Sequence, residues 1–168
     1  PTLEDLDYTQ SALEEADRLM DRIVRVSGRK PEMMRIERDL LILRGAMLWW
    51  SGKYEDAEGA LREGLEKAIK IGETEPVVEA CVQICYLAIQ NDDERRLSAF
   101  ANRVYLLSIK DHLHKWMGVA LRFKGISAIL KGEFGIAFQV LQMSTLLFEK
   151  LEEEGDSYTV CIVAAEHF

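Results

Sequence analysis

The sequence predicts an all-α chain, a solenoid of antiparallel helix pairs. Three observations predict it: a pattern that returns at multiples of forty residues, apolar residues at helical spacing between glycine-bearing breaks, and no proline after Pro76. Proline inside a helix removes a backbone donor and clashes with the preceding turn, so a long proline-free stretch suits consecutive helices. With 168 residues, 48% of them hydrophobic and 30% charged, the chain has the apolar material for a core and the length of one domain.

The repeat is strongest between residues 41–71 and 121–151. Leu41, Gly45, Gly52, Ala57, Leu61 and Lys70 meet Leu121, Gly125, Gly132, Ala137, Leu141 and Lys150 at an offset of 80. Arg44 meets Lys124 and Tyr54 meets Phe134 in the same register. Half that offset finds a weaker copy, in which Cys81, Cys85, Asp92 and Leu97 stand where Leu41, Gly45, Gly52 and Ala57 are carried. One more step lands on Cys161, Ala165 and Phe168. A fixed period of this size is the signature of stacked supersecondary units. The chain thus divides into an N-terminal helix over 1–30, repeats over 35–72, 75–110 and 112–155, and a half repeat over 156–168. These units make one domain, whose abrupt ends read as those of a piece of a longer protein.

Each element has a local reason. Thr2 to Ser27 reads as one or two helices ending at Gly28. Pro31 suits the first turn of a helix running to about Trp50, since proline is tolerated there. Ser51 and Gly52 break that helix, and Tyr54 to Ile71 restarts it, with Ala57, Ala60, Leu61, Leu65, Ala68 and Ile69 at helical spacing. Gly72 supplies a left-handed residue that ends a helix. Thr74 suits the cap of the next, with Pro76 in its first turn. That helix runs to about Gln90, Asn91-Asp92-Asp93 turns the chain, and a partner follows from Glu94 to about Ile109. Asp111 is expected to cap a helix to Lys131, Gly132 to turn it, and Glu133 to Glu154 to form the next; Gly155 stops that one and Asp156 caps the last.

A helical hairpin needs small residues where its helices approach. Gly45 with Ala57, and Gly125 with Ala137, supply them. Glycine costs about 1 kcal/mol inside a helix relative to alanine, so two at equivalent positions imply a packing reason. Tyr54 and Phe134 then read as flat plugs over their hairpins.

A small residue followed seven residues later by Gly-Lys-Tyr-Glu-Asp-Ala at 52–57, then Leu61 and Leu65, resembles a tetratricopeptide repeat, and Gly-Glu-Phe-Gly-Ile-Ala at 132–137 is similar. The common repeat is 34 residues long, so a period of about 40 resembles its longer-helix variety. The middle copy departs: Cys85 replaces the glycine, Leu97 the alanine, and no aromatic follows the turn.

The resemblance implies a right-handed superhelix and a non-catalytic module that binds a peptide or helix of a partner protein in a concave groove lined by the first helix of each pair. Carried residue by residue, that groove holds Ile42, Ala46 and Trp49, then Val82, Tyr86 and Ile89, then Arg122, Ile126 and Ile129, with Ile162 and Glu166 after them. So apolar a stripe is either covered or a binding surface. Where Hsp90-type tetratricopeptide domains grip a terminal carboxylate, Ile42 and Ala46 stand here, which argues against that specificity. An alternative reading is a ligand-sensing or oligomerisation domain of a larger signalling or transcriptional regulator.

The remaining residues narrow the function. The net charge of −8 disfavours direct nucleic-acid binding, which draws on Lys and Arg. A basic excess over 18–44 and an acidic run over 149–156 suit solvated faces, or ends that self-associate. Cys81, Cys85 and Cys161 form an odd set without disulfide spacing, which points to a reducing cytoplasm. No apolar run is long enough to span a membrane. Cys81 and Cys85 lie one helical turn apart, yet nothing completes a four-ligand zinc set, and both fall on packing positions. His112 and His114 have no serine, cysteine or paired acid at a spacing that makes a catalytic group. No metal, cofactor or enzymatic activity is therefore expected. Adjacent tryptophans point about 100° apart on a helix, so at most one of Trp49 and Trp50 faces the groove while the other packs. Arg44 and Lys124 are expected to lay their stems on apolar surface and reach an acid on the neighbouring helix.

Overall fold

A computed structural model describes residues 3–27 and 31–153. Among them are seven α-helices and no strand: α1 (Leu3–Ser27), α2 (Pro31–Trp50), α3 (Tyr54–Ile71), α4 (Thr74–Gln90), α5 (Glu94–Lys110), α6 (His114–Leu130) and α7 (Phe134–Glu153). The half repeat over 156–168, with Cys161, Ile162 and Glu166, lies outside the described residues.

The spacing of the helices is set by their turns. Among the described residues five take a positive φ: Gly52 (74°), Gly72 (84°), Asp92 (51°), His112 (56°) and Gly132 (78°). They stand twenty residues apart, and α3 to α7 begin just as regularly, at Tyr54, Thr74, Glu94, His114 and Phe134. Four of the turns share one hydrogen-bond pattern. The residue after the left-handed one donates its N–H back to a carbonyl five positions earlier: Lys53 to Leu48 (2.8 Å), Asp93 to Ala88 (2.8 Å), Leu113 to Ser108 (2.9 Å) and Glu133 to Ala128 (2.8 Å). This satisfies carbonyls that a helix end otherwise leaves without partners. At Gly72 a simpler bond to Ala68 O (3.0 Å) does the same. The forty-residue period of the sequence is thus two twenty-residue helix-and-turn units.

One local expectation changes. Asp111 does not cap α6; it is the C-terminal cap residue of α5, and α6 begins only at His114. The positive-φ residue of this turn is His112, one of the residue types that tolerate that conformation. The true side-chain cap in this region is Asp93, whose carboxylate accepts from the Arg96 N–H at 3.0 Å.

The chain forms two compact units, residues 1–87 and 88–168. In the first, α1 packs on α2 and α2 on α3. The α2·α3 pair closes at two glycines. A Cβ on Gly45 would lie 2.4 Å from Leu61 Cγ, and one on Gly64 would lie 3.0 Å from Ile42 Cγ1. As the chain runs back along α2 from Gly45 to Ile42, it runs forward along α3 from Leu61 to Gly64, so the helices are antiparallel. Ala57 contributes its carbonyl oxygen, 3.3 Å from that Gly45 position, so leucine is the main partner of the glycine.

In the second unit α5 packs on α6 and α6 on α7. The α6·α7 pair repeats the first notch: a Cβ on Gly125 would lie 2.5 Å from Leu141 Cγ. Its second notch is reversed, with the glycine on the earlier helix. Gly118 faces Phe148, whose Cζ would lie 2.7 Å from an added Cβ. Ser144, which stands where α3 has Gly64, donates instead to the Gly118 carbonyl at 2.8 Å. Between α5 and α6, Lys124 donates to Asn102 Oδ1 at 2.8 Å, while Glu94 meets Ser127 at 2.8 Å and Lys131 at 2.9 Å.

Candidate functional site

The nine residues expected to line a groove separate into three groups. Two are core. Ile42 is 3% exposed and faces α3, where Gly64 makes room for it; Val82 is 4% exposed. Their assignment to an open groove is corrected: both take up apolar contacts inside the fold, because the side of α2 that turns toward α3 includes Ile42.

The second group is an aromatic patch in the first unit. Trp49, near the end of α2, is half-buried, with its ring centroid 5.4 Å from that of Tyr86 on α4 and inclined at 40°. Trp50 meets the Trp49 ring edge-on at 4.9 Å. It remains exposed on its other side and does not pack into a neighbouring helix as expected. Ala46 lies one turn before Trp49 on α2, half-buried like Tyr86. The Trp49 indole Nε1–H is buried and has no hydrogen-bond partner among the described residues. Such a donor ordinarily finds one, and leaving it without costs about 1–3 kcal/mol.

The third group belongs to the second unit. Arg122, Ile126 and Ile129 follow one another along one side of α6; the first two are half-buried and Ile129 is exposed. The Arg122 guanidinium lies 5.7 Å from the Phe123 ring centroid, a distance at which cation and ring attract. Ile89, near the end of α4, is half-buried.

Several features escaped the sequence reading. Phe134 is not a plug over its hairpin but 68% exposed, and with Phe138, Met143 and Leu146 it leaves much of α7 apolar toward solvent. The signal was present, because α7 carries more apolar residues than one buried stripe can use. Tyr54, by contrast, is half-buried. A charged fork was also missed. Arg38, one of the few buried charged residues, donates to Glu73 just before α4, and Arg35 reaches the same carboxylate at 2.7 Å. The hydrogen bond from Arg38, then the nearby Arg35 charge, hold the Glu73 carboxyl below its ordinary pKa despite desolvation. Hydrogen bonds from Lys131 and then Ser127 do the same for Glu94. Arg44 pairs with Asp17 of α1, as its expected reach to an acid required. Lys124 meets no acid among the described residues; it meets Asn102 and the Tyr105 ring, 4.8 Å from its centroid.

A recess of about 170 Å³ opens between α1 and α2, lined by Gln10, Glu14, Arg44, Met47, Leu48 and Ser51. Cys81 and Cys85 are fully buried thiols of α4. Among the described residues no three His, Cys, Asp or Glu side chains are grouped to hold a metal ion, and no helix is long and apolar enough to cross a membrane. No family model matches the sequence, and no curated protein or solved structure matches it either.

Proposed function

We propose that this chain is a tetratricopeptide-like module that binds a peptide or helix of a partner protein and does no chemistry of its own, acting in the cytoplasm. The architecture we propose is a right-handed solenoid in which the twenty-residue helix-and-turn unit recurs. The regular left-handed turns and the equivalent Gly45·Leu61 and Gly125·Leu141 notches support it, since solenoids are built from such repeated local contacts.

The observation that carries the binding reading is the pairing of Trp49 with Tyr86. They lie on the first helices of successive repeats, touch each other, and stay partly open. Aromatic residues of this kind, amphipathic and fixed by packing, are enriched among those that dominate binding energy. Ile126 and Ile129 give the second unit an apolar surface at the corresponding helix positions. Helix-in-groove recognition needs such an apolar trough.

Selection from a displayed peptide library tests this reading. The parent chain should enrich a family of apolar-anchored peptides. The Tyr86→Ala, Ile126→Asp double variant, folded by circular dichroism, should bind them at least tenfold more weakly. A parent that enriches nothing, or a variant that binds as the parent does, would refute the groove; an unfolded variant would show that the two side chains are core.

A further inference from the structure

We infer that the outward side of α5 is a second docking surface, one that takes an acidic amphipathic peptide helix. It is separate from the groove proposed above, because α5 is the second helix of its pair. The basis is charge. Residues 94–131, from the start of α5 to just past α6, hold eight lysines and arginines and two acids, Glu94 and Asp111. That stretch carries +6 in a chain of net charge −8, so the remainder carries −14. Four of the cations gather on one face. Arg95, Asn102, Arg103, Leu106, Ile109 and Lys110 recur at helical spacing along α5, and all are exposed, Leu106 at 67%. From α6 the Lys124 ammonium reaches this face, 2.8 Å from Asn102 Oδ1. Among the described residues no carboxylate bridges to Arg103, Lys110 or Lys124. Arg95 stands beside Glu94, whose carboxylate already accepts from Ser127 and Lys131.

The equivalent places in the first unit show what a merely solvated face looks like. On α3, forty residues earlier, Glu55, Glu63 and Glu66 stand where α5 has Arg95, Arg103 and Leu106. The cations of α3 are bridged by acids, Arg62 to Glu58 at 2.9 Å and Lys67 to Glu63 at 3.4 Å. Arg44, the counterpart of Lys124, pairs with Asp17. α5 thus has cations where α3 has acids, and like charges gathered on one face repel each other. An acidic ligand relieves that repulsion.

The rest of the ligand's chemistry follows from Leu106 and Ile109, which lie bare between Arg103 and Lys110. They call for apolar groups within the acidic partner, and a helix with a leucine stripe rimmed by glutamates offers both. A nucleic acid offers the charge without the stripe. A nucleic acid or an anionic membrane also extends past one helix, into the field of the acidic remainder. A short peptide meets only the local field, because charges more than about 10 Å away are screened at 0.1 M salt.

Fluorescence anisotropy on the full chain tests the surface. The probe is a labelled peptide of leucine and glutamate, 17 residues long like α5, with leucines at i, i+3, i+4 and i+7. The parent should bind it, and should bind a version with glutamine for glutamate about tenfold more weakly. The Arg103→Glu, Lys110→Glu variant should also lose about tenfold in affinity, and so should Leu106→Asp. Arg62→Glu, Lys70→Glu makes the same change of charge on the outward side of α3 and should leave the affinity as it is. All these side chains are exposed, so the circular dichroism of the variants should match that of the parent; should the reversal unfold the chain, the neutral Arg103→Gln, Lys110→Gln variant reads the same loss. Tyr86→Ala, which strikes the groove, should bind this peptide as the parent does, so the failure of one surface is told from the failure of the other. No binding by the parent would overturn the inference, as would equal binding of the glutamine peptide or equal weakening by the α3 and α5 variants. Tighter binding of duplex DNA or of phosphatidylserine vesicles than of the peptide would give the face to phosphates and overturn it too.

Discussion

Gly45 and Leu61 are packed so closely that a Cβ on the glycine would lie 2.4 Å from the leucine Cγ, and eighty residues on, Gly125 stands to Leu141 in the same way at 2.5 Å. The atom in the way is the branching carbon of leucine, which cannot step aside as the tip of a flexible chain can. Gly59, also inside a helix, has nothing within 4 Å of an added Cβ. Backbone freedom is the same kind of cost at all three glycines, so the surroundings decide the sign of a substitution.

Gly45→Ala and Gly125→Ala should therefore destabilise the chain by about 1–3 kcal/mol through overpacking. Gly59→Ala should stabilise it by roughly 0.4–1 kcal/mol through reduced freedom of the unfolded chain and better helix propensity. Denaturant melts of the three variants check both signs. Equal effects at Gly45 and Gly59 would remove the packing argument.

The turns make a second prediction. Asp92 and His112 hold left-handed φ values of 51° and 56°, at places where the other turns use glycine. A residue with a Cβ loses roughly 1–2 kcal/mol in that conformation, so Asp92→Gly and His112→Gly should each raise the melting temperature, while Gly132→Ala should lower it. Thermal unfolding followed by circular dichroism reads the three directly. An Asp92→Gly protein less stable than the parent would mean that the aspartate contributes more than its backbone costs.

What was legible in the sequence is what local chemistry decides. Gly52 and Gly132 announced their turns because few residues other than glycine take positive φ cheaply, and the repeat fixed Gly45 and Gly125 as a pair. His112 was not legible, since the same residue types also occur within helices. Rotation about a helix axis was the harder quantity. Ile42 and Ala46 are one turn apart on α2, yet Ile42 points into Gly64 while Ala46 stays partly open, and apolar identity does not separate them. Phe134 failed for a related reason: an aromatic after a turn has the same composition whether it plugs its own hairpin or stands open, as this one does. The Arg35–Arg38–Glu73 fork joins residues far apart in sequence across a turn, and its charges read on paper as ordinary solvated ones.

That fork predicts how stability depends on acid. The Glu73 carboxyl titrates below its ordinary value of 4.5 in the folded chain, owing first to the Arg38 hydrogen bond and then to the Arg35 charge. A carboxylate depressed on folding contributes stability that is present above the unfolded value and lost as pH falls through the folded one. Stability should thus decline as pH drops below about 4.5, and Glu73→Gln should flatten part of that decline while lowering stability at neutral pH. Glu94, depressed by Lys131 and Ser127, accounts for a further part. Melting temperatures measured against pH for the two Gln variants separate the contributions. A Glu73→Gln curve parallel to that of the parent would exclude the fork as a source.

The indole of Trp49 gives the last prediction, because its two roles respond oppositely to one change. Its Nε1–H is buried without a partner among the described residues, an arrangement that costs about 1–3 kcal/mol. Trp49→Phe removes that donor and keeps an aromatic ring beside Tyr86. It also gives up part of the indole area, at about 25 cal/mol per Å². The two terms are similar in size and opposite in sign, so the variant should keep the stability of the parent to within about 1 kcal/mol. If the open part of the indole anchors a bound peptide, the same variant should bind peptides selected on the parent about five- to tenfold more weakly, as the loss of roughly 1 kcal/mol of apolar contact implies. Fluorescence helps to follow it, since Trp50 and Trp116 remain as reporters. A clear gain in stability with unchanged peptide affinity would show Trp49 to be an imperfectly satisfied core residue. Lost affinity at constant stability would show an anchor held ready for a ligand.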